Sequence, residues 1–220
     1  MINLIKKFLA IFAVLVTVTA ITLSSEVFYV PDDIALNYTK KFGTQAEKRL
    51  AALLKLMNEL VSANEEKKII KVNEFFNNLE YRSDLQVWGK NDYWATRLEF
   101  LGKGMGDCED YAVAKFLTLL QLGVQEEKLF LTYVKAIGYA ETAHMVVSYY
   151  PKKGGEPFIL DNYNKQILNA TKRTDLLPVY SFTAKDLYIQ KQQGLGKRVD
   201  PSSSNNLQKL KSIDLEIYKR

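Results

Sequence analysis

The chain contains one cysteine, Cys108, and one histidine, His144, among 220 residues. That scarcity restricts the possible folds more than any other feature. An internal disulfide needs two thiols, and zinc sites built from four cysteines, from two cysteines and two histidines, or from three histidines need ligands this chain lacks. Stability must therefore come from an ordinary apolar core, and a chain with 47% hydrophobic and 25% charged residues has the composition of one globular domain. The chemistry is restricted in the same way: a site here joins one thiol to one imidazole, or is built from carboxylates and amides. The net charge of +5 is small and spread without dense basic runs, so no nucleic-acid partner is expected.

The first residues read as an address. Met1 to Leu23 (MINLIKKFLAIFAVLVTVTAITL) places Lys6 and Lys7 ahead of a stretch, Phe8 to Leu23, without charge, glycine or proline. Residues 1–24 are expected to be a Sec signal segment, with Ala20 or Ser24 as the cleavage point, or else an uncleaved membrane anchor. Both readings put the following domain outside the cytoplasm. Removing the segment deletes two lysines and no acid, which lowers the charge from +5 to +3.

Apolar residues recur at Ala46, Leu50, Leu53, Leu54, Met57, Leu60 and Val61, which predicts an amphipathic helix over Thr44 to Ala63. A second helix is predicted over Glu65 to Asn78, an irregular connection over Tyr81 to Asp92, and a strongly apolar helix over Cys108 to Leu122. Strands follow: Leu129 to Val134, Ala143 to Tyr150 and Pro157 to Asp161, the last two joined as a hairpin through KKGGE. Val179 to Phe182 reads as a short strand, with Ser181 alternatively capping a helix through Ile189. Gln192 to Asn206 reads as a loose loop, and Leu207 to Tyr218 as a short helix. Helices first and strands afterwards is an α+β order, with one domain over residues 25–190 and a loop and helix over 191–220.

The segment GMGDCEDYAVAK, Gly104 to Lys115, concentrates the chemistry. Asp107 is a good N-cap type and Asp110 sits three residues on, which places Cys108 at the first helical position. The helix macrodipole there favours a thiolate. The carboxylates of Asp107, Glu109 and Asp110 oppose it, so an imidazolium or a bound cation has to offset them. Cys108 is either a nucleophile or a small buried hydrophobe; a helix start beside three acids is a polar place for an inert thiol. Folding the hairpin about a centre near Lys152 and Lys153 sets Asp161 opposite His144, where its carboxylate would hold one ring nitrogen and leave the other for the thiol. A one-residue slip would send Asp161 to the other face. The Cys108 amide is one oxyanion donor, and Trp94 is a candidate for the second.

Through VWGKNDYWAT, EFLGKGMGDCEDYAVAKFLTL, YVKA, AHMVVSYY, LDN and RTDLLPVYSF, from about Asp84 to Ser181, the chain resembles the bacterial transglutaminase-like cysteine proteinases of the LapG periplasmic type. It departs from the family at Arg97, where YWAT is commonly followed by proline. The resemblance implies a papain- or transglutaminase-like fold, a Cys108, His144 and Asp161 triad, and a calcium requirement with Asp107, Glu109 and Asp110 as ligands; Asp110 also suits simple helix capping. It further implies an adhesin substrate, cut in its N-terminal region to release it from the surface and disperse a biofilm. The implied partner is an inner-membrane cyclic-di-GMP receptor whose periplasmic domain sequesters the protease. A transglutaminase-type acyl transferase and a non-catalytic calcium-binding interaction domain are the alternatives.

Overall fold

The computed structural model describes residues 27–139, 143–191, 194–200, 202, 204–213 and 217–219. The leader segment lies outside them, and among them no helix is long and apolar enough to cross a membrane. In chain order the elements are β1 (Phe28–Tyr29), α1 (Asp32–Phe42), α2 (Thr44–Leu60), α3 (Glu65–Phe76), β2 (Glu80–Tyr81), α4 (Asp84–Trp88), α5 (Arg97–Lys103), β3 (Met105–Gly106) and α6 (Cys108–Gln121). Then come β4 (Leu129–Ala136), β5 (Ala143–Tyr149), β6 (Phe158–Leu160), β7 (Leu168–Asn169), β8 (Leu176–Phe182), β9 (Leu187–Lys191), β10 (Gly194–Val199), α7 (Asn205–Ser212) and β11 (Tyr218–Lys219). The α+β order expected from the sequence is the order observed.

Strands β4 to β10 form one antiparallel sheet in the order β10-β9-β8-β4-β5-β6-β7. Helix α6 lies against β4 and β5 and is flanked by α3 and α5. It is mostly apolar because neighbours enclose most of its circumference: Ala112, Val113, Phe116 and Leu119 are buried. Side chains alternate across the strands, so Met145 and Val147 of β5 and Leu131 of β4 join the helical core. Val134, Val146, Ile159 and Leu176 form a second, smaller cluster. Each such side chain contributes roughly 1.5–3 kcal/mol by leaving water.

Several expectations need correction. The hairpin centres one residue later than predicted. Gly155 N–H donates to Lys152 O at 3.0 Å, and Gly154 between them has φ +73°, a conformation that glycine adopts without steric cost. The turn therefore centres between Lys153 and Gly154, and Val147 faces Leu160, Ser148 faces Ile159 and Tyr149 faces Phe158. Asp161 is thus displaced by two residues from the position opposite His144. Two residues is a whole pleat, so it stays on the same face.

Ser181 caps no helix. It lies in β8 and its hydroxyl bonds Thr132 Oγ1 at 2.6 Å, while Thr183 makes the turn into β9 by accepting from Lys185 N at 3.1 Å and Asp186 N at 3.2 Å. The predicted loop over Gln192 to Asn206 contains β10, an edge strand whose Lys197 and Arg198 conceal any apolar alternation. Helix α7 ends at Ser212 rather than Tyr218, and Tyr218 instead pairs with Tyr29. The connection Tyr81 to Asp92 holds the last residue of β2 and the whole of α4.

Candidate active site and acidic cluster

The start of α6 is placed by a two-residue parallel bridge. Glu80 pairs with Met105 and Tyr81 with Gly106, which lays the chain after β2 alongside the chain entering α6. Asp84 is thereby brought to Asp107, and its backbone N–H donates to Asp107 Oδ2 at 3.3 Å. The following loop wraps the acids with its amides: Tyr93 N–H donates to Asp84 Oδ2, and Ala95 N–H to Asp110 Oδ1 at 2.9 Å. Asp107 is the N-cap residue by position, yet its side chain makes no capping bond. Helix capping therefore does not account for the Asp107 carboxylate.

Asp84, Asp107 and Asp110 each present an oxygen within 4.8 Å of the others, and Asp84, Asp92 and Glu109 form an overlapping group. Asp84 Oδ1, Asp107 Oδ1 and Asp110 Oδ2 are buried without a hydrogen-bond partner. Burial, reinforced by the Glu109 charge, pushes Asp107 up to about 9, and burial also raises Asp84, Glu109 and Asp110. Buried carboxylate oxygens that lack donors and repel one another suit a hard divalent cation such as calcium, so the residues fit the expected group. The predicted ligands Asp107, Glu109 and Asp110 are brought together here, and Asp84 and Asp92 join them.

Cys108 opens α6 and is buried, 8% exposed. Its thiol donates to Glu109 Oε2 at 3.2 Å and is also approached by the Met145 amide of β5. Burial, then the charges of Glu109 and Asp107, raise the thiol well above its ordinary value; the Met145 amide pulls the other way. The contest between dipole and carboxylates expected from the sequence is thus joined by burial, the largest influence, and burial and carboxylates both raise the thiol.

The imidazole lies on the neighbouring residue of the same strand. His144 is wholly buried, and its Nε2 is 2.7 Å from Asp161 Oδ1. The side chain of Tyr163 stacks on the ring, with centroids 3.9 Å apart and planes at 8°. Nδ1 is buried with no hydrogen-bond partner. Burial would raise Asp161, but the His144 bond and charge, the Tyr163 amide and Arg173 together hold it down at about 2. With the carboxylate ionised, Asp161 Oδ1 accepts from Nε2–H, which leaves Nδ1 as the ring nitrogen without a partner. The hydrogen bonds recorded among the described residues join His144 to Asp161 and Cys108 to Glu109, and none joins Cys108 to His144.

Trp94 lies with its ring 6.4 Å from that of Phe182 and with the Lys209 ammonium 5.4 Å from its centroid. Arg97 takes the first position of α5 after the cap Thr96, the place in a helix where proline is best tolerated, and its guanidinium instead bonds Thr118 Oγ1 at 2.9 Å and Gln121 Oε1 at 2.7 Å. Asp84, Asp92, Lys115, Tyr163 and Arg173 were not singled out by sequence reasoning. One local signal was available: Thr96 and Glu99 form a capping box that marks α5 and closes the loop carrying Tyr93 and Ala95.

A curled antiparallel sheet behind helices, with a thiol starting the helix packed on it, is the arrangement of the transglutaminase-like α+β class. The family profile described as bacterial transglutaminase-like cysteine proteinase, BTLCP, matches residues 40–192, and the chain belongs to that family of cysteine proteinases. Legionella pneumophila LapG in an EGTA-treated form is similar with a TM-score of 0.69 at 35% identity, covering 81% of this chain and 94% of that one. Calcium-bound LapG from the same organism gives 0.68 at 35% identity, covering 81% and 96%. No curated protein matches the chain.

Proposed function

We propose that the protein is a calcium-dependent periplasmic cysteine endopeptidase in which Cys108, His144 and Asp161 act as nucleophile, general base and orienting carboxylate. The observation that carries this reading is the buried bond from the only imidazole to Asp161, on the strand whose next residue, Met145, meets the only thiol. Cys108 Sγ attacks the scissile carbonyl, and the thiol proton passes to His144 Nδ1 and then to the leaving amine. Asp161 holds Nε2–H and stabilises the imidazolium while the proton resides on the ring. The Cys108 amide, at the open end of α6, is one donor to the oxyanion.

Asp84, Asp107, Glu109 and Asp110 would hold the calcium ion, with Asp92 at the rim. When bound, the ion would supply positive charge that offsets the Glu109 and Asp107 charges, which together with burial raise the thiol. Family membership and the calcium-bound state of LapG support this assignment.

The substrate we propose is the N-terminal region of a large surface adhesin, with release of the adhesin and dispersal of a biofilm as the consequence. The partner is the periplasmic domain of an inner-membrane cyclic-di-GMP receptor. Support comes from the LapG-type motifs and from the leader-like stretch Met1 to Leu23, whose pattern is that of an export signal. The test is incubation of an adhesin N-terminal fragment with the mature protein, with Cys108→Ala and with a chelator-treated sample, read by mass spectrometry. Two shortened products are expected from the calcium-loaded protein alone. Undiminished cleavage by the alanine variant would end the triad assignment, and insensitivity to the chelator would remove calcium from it. Crosslinks or amine adducts in place of shortened products would mark acyl transfer.

A further inference from the structure

The segment RTDLLP, beginning at Arg173, belongs to the motif run of the sequence and has no part in the scheme above. Its first residue is a buried arginine, 3% exposed, lying against Asp161. We propose that Arg173 is a positioning residue: its guanidinium, clamped by Asp175, sets the Asp161 carboxylate so that Oδ1 is presented to His144 Nε2. This rests on the assignment of His144 and Asp161 to the reaction.

The two oxygens of Asp161 have separate tasks. Oδ1 accepts from His144 Nε2 at 2.7 Å and from Tyr163 N–H at 2.9 Å. Oδ2 accepts from Arg173 Nη2 at 2.6 Å. Rotating the carboxylate away from the imidazole would break a charge-assisted bond in a dry site, where such bonds are strongest. Arg173 is itself held. Its Nε donates to Asp175 Oδ1 at 2.9 Å and its Nη2 to Asp175 Oδ2 at 2.7 Å, a two-pronged contact that fixes the guanidinium plane. The backbone is held on both sides, with Arg173 N–H donating to Ala170 O and Leu176 N–H to Arg173 O, each at 3.0 Å.

The main chain of Asp161 is secured independently. Asn77 Nδ2 of the α3 C-terminus donates to Asp161 O at 2.8 Å, and Lys115 Nζ of α6 donates to Asn77 Oδ1 at 2.7 Å. Asn77 and Lys115 therefore place the residue, while Arg173 orients its carboxylate. The charged or titratable groups facing that carboxylate include His144 from β5, Arg173 and Asp175 from the turn before β8, Lys115 from α6 and Tyr139 after β4.

Because His144 is the only histidine, its two ring nitrogens are the only imidazole signals of the molecule, and nitrogen NMR reads its tautomer directly. In the calcium-loaded mature protein labelled with ¹⁵N-histidine, the neutral ring is expected to carry its proton on Nε2. Arg173→Gln is expected to mix the two tautomers and to lower kcat on the order of 10²-fold, with KM little changed. Arg173→Lys keeps the charge without the fork and is expected to recover only part of that loss. Asp175→Asn frees the guanidinium without touching Asp161 and is expected to shift both readouts in the same direction by less; it carries the test if Arg173→Gln does not fold. An Nε2–H tautomer and a kcat unchanged in Arg173→Gln, or in Asp175→Asn where that variant carries the test, would overturn the proposal, even if stability fell. Failure of the underlying reading is separate: it would show as undiminished cleavage by Cys108→Ala, whatever the tautomer.

Discussion

Replacing Lys115 by methionine isolates the ionisation of an amine that lies wholly inside the protein. Its side chain is 1% exposed, Nζ donates to Asn77 Oδ1 at 2.7 Å, and the Tyr111 ring centroid lies 5.8 Å away. Burial lowers the amine from an ordinary 10.5 to about 7, with Asp161 opposing the shift and Lys165 adding to it. The depressed value means that between about pH 7 and 10 the unfolded chain binds a proton that the folded chain does not. Stability therefore rises with pH through that window and gains nothing from Lys115 below it. The limiting slope is about 1.4 kcal/mol per pH unit, and with its onset near 7 the gain from pH 7 to 9 comes to about 2 kcal/mol. Lys115→Met loses this term and keeps every other titrating group, so the difference between the two chains isolates it. Urea unfolding of both proteins in excess calcium at pH 7 and 9 should show the wild type gaining about 2 kcal/mol over the variant, equivalent to roughly 4–8 °C in melting temperature. Parallel pH dependences would refute the reasoning and show that the ammonium stays charged beside Asp161.

Three further outcomes follow from the site and its supports. A Cβ on Gly106 would lie 2.3 Å from Asp110 Oδ2 and 2.9 Å from Phe100, so Gly106→Ala should displace that carboxylate and weaken calcium binding on the order of tenfold by titration calorimetry; an unchanged isotherm would detach Asp110 from the ion. Asp84→Asn removes a carboxylate charge that reaches the cluster through the β2–β3 bridge, and calcium affinity should fall on the order of tenfold or more, whereas an equal affinity would take Asp84 out of the ligand set. Gly154→Val forces φ +73° on a branched side chain and should cost roughly 1–2 kcal/mol, with faster amide exchange confined to β5 and β6; unaltered exchange would contradict the turn that sets the hairpin register.

The helices that sequence periodicity located are those with one face to bury. Leu50, Leu53, Met57 and Leu60 of α2, and Ile69, Val72 and Phe76 of α3, recur at the helical spacing because the core lies on one side of each. Helix α6 was located by its apolar content, since it is enclosed over most of its circumference. Helices α1 and α5 were not located: α1 is amphipathic but buries only Tyr38 fully, and α5 has seven residues of which five are buried, too few turns to display a stripe. The acids were legible only in part for a different reason. Asp107, Glu109 and Asp110 are neighbours in the chain, whereas Asp84 arrives through a two-residue parallel bridge that no local propensity encodes.

The pairing of His144 with Asp161 shows which errors a sequence argument survives. Strand alternation determines the face of a side chain but not the residue opposite it, and that residue is decided by where the turn closes. Here the turn closes at Lys152 and Gly155, so the register carried past the end of β6 sets Tyr163 against His144, where its ring stacks on the imidazole. Asp161 is one pleat short of that position and reaches Nε2 diagonally along the same face. Acid–base chemistry asks only that the carboxylate and imidazole share a face within side-chain reach, so a shift of two residues leaves it intact, while a shift of one would have abolished it. Orientation asks for more. Arg173 holds Asp161 Oδ2 from twelve residues further on, after the chain has added β7 and a 3-10 turn, Ala170–Lys172, and no periodicity in the intervening sequence marks that return. The face shared by His144 and Asp161 was therefore open to inference from alternation alone, whereas the side chain that aims the carboxylate emerges only once the tertiary path is known.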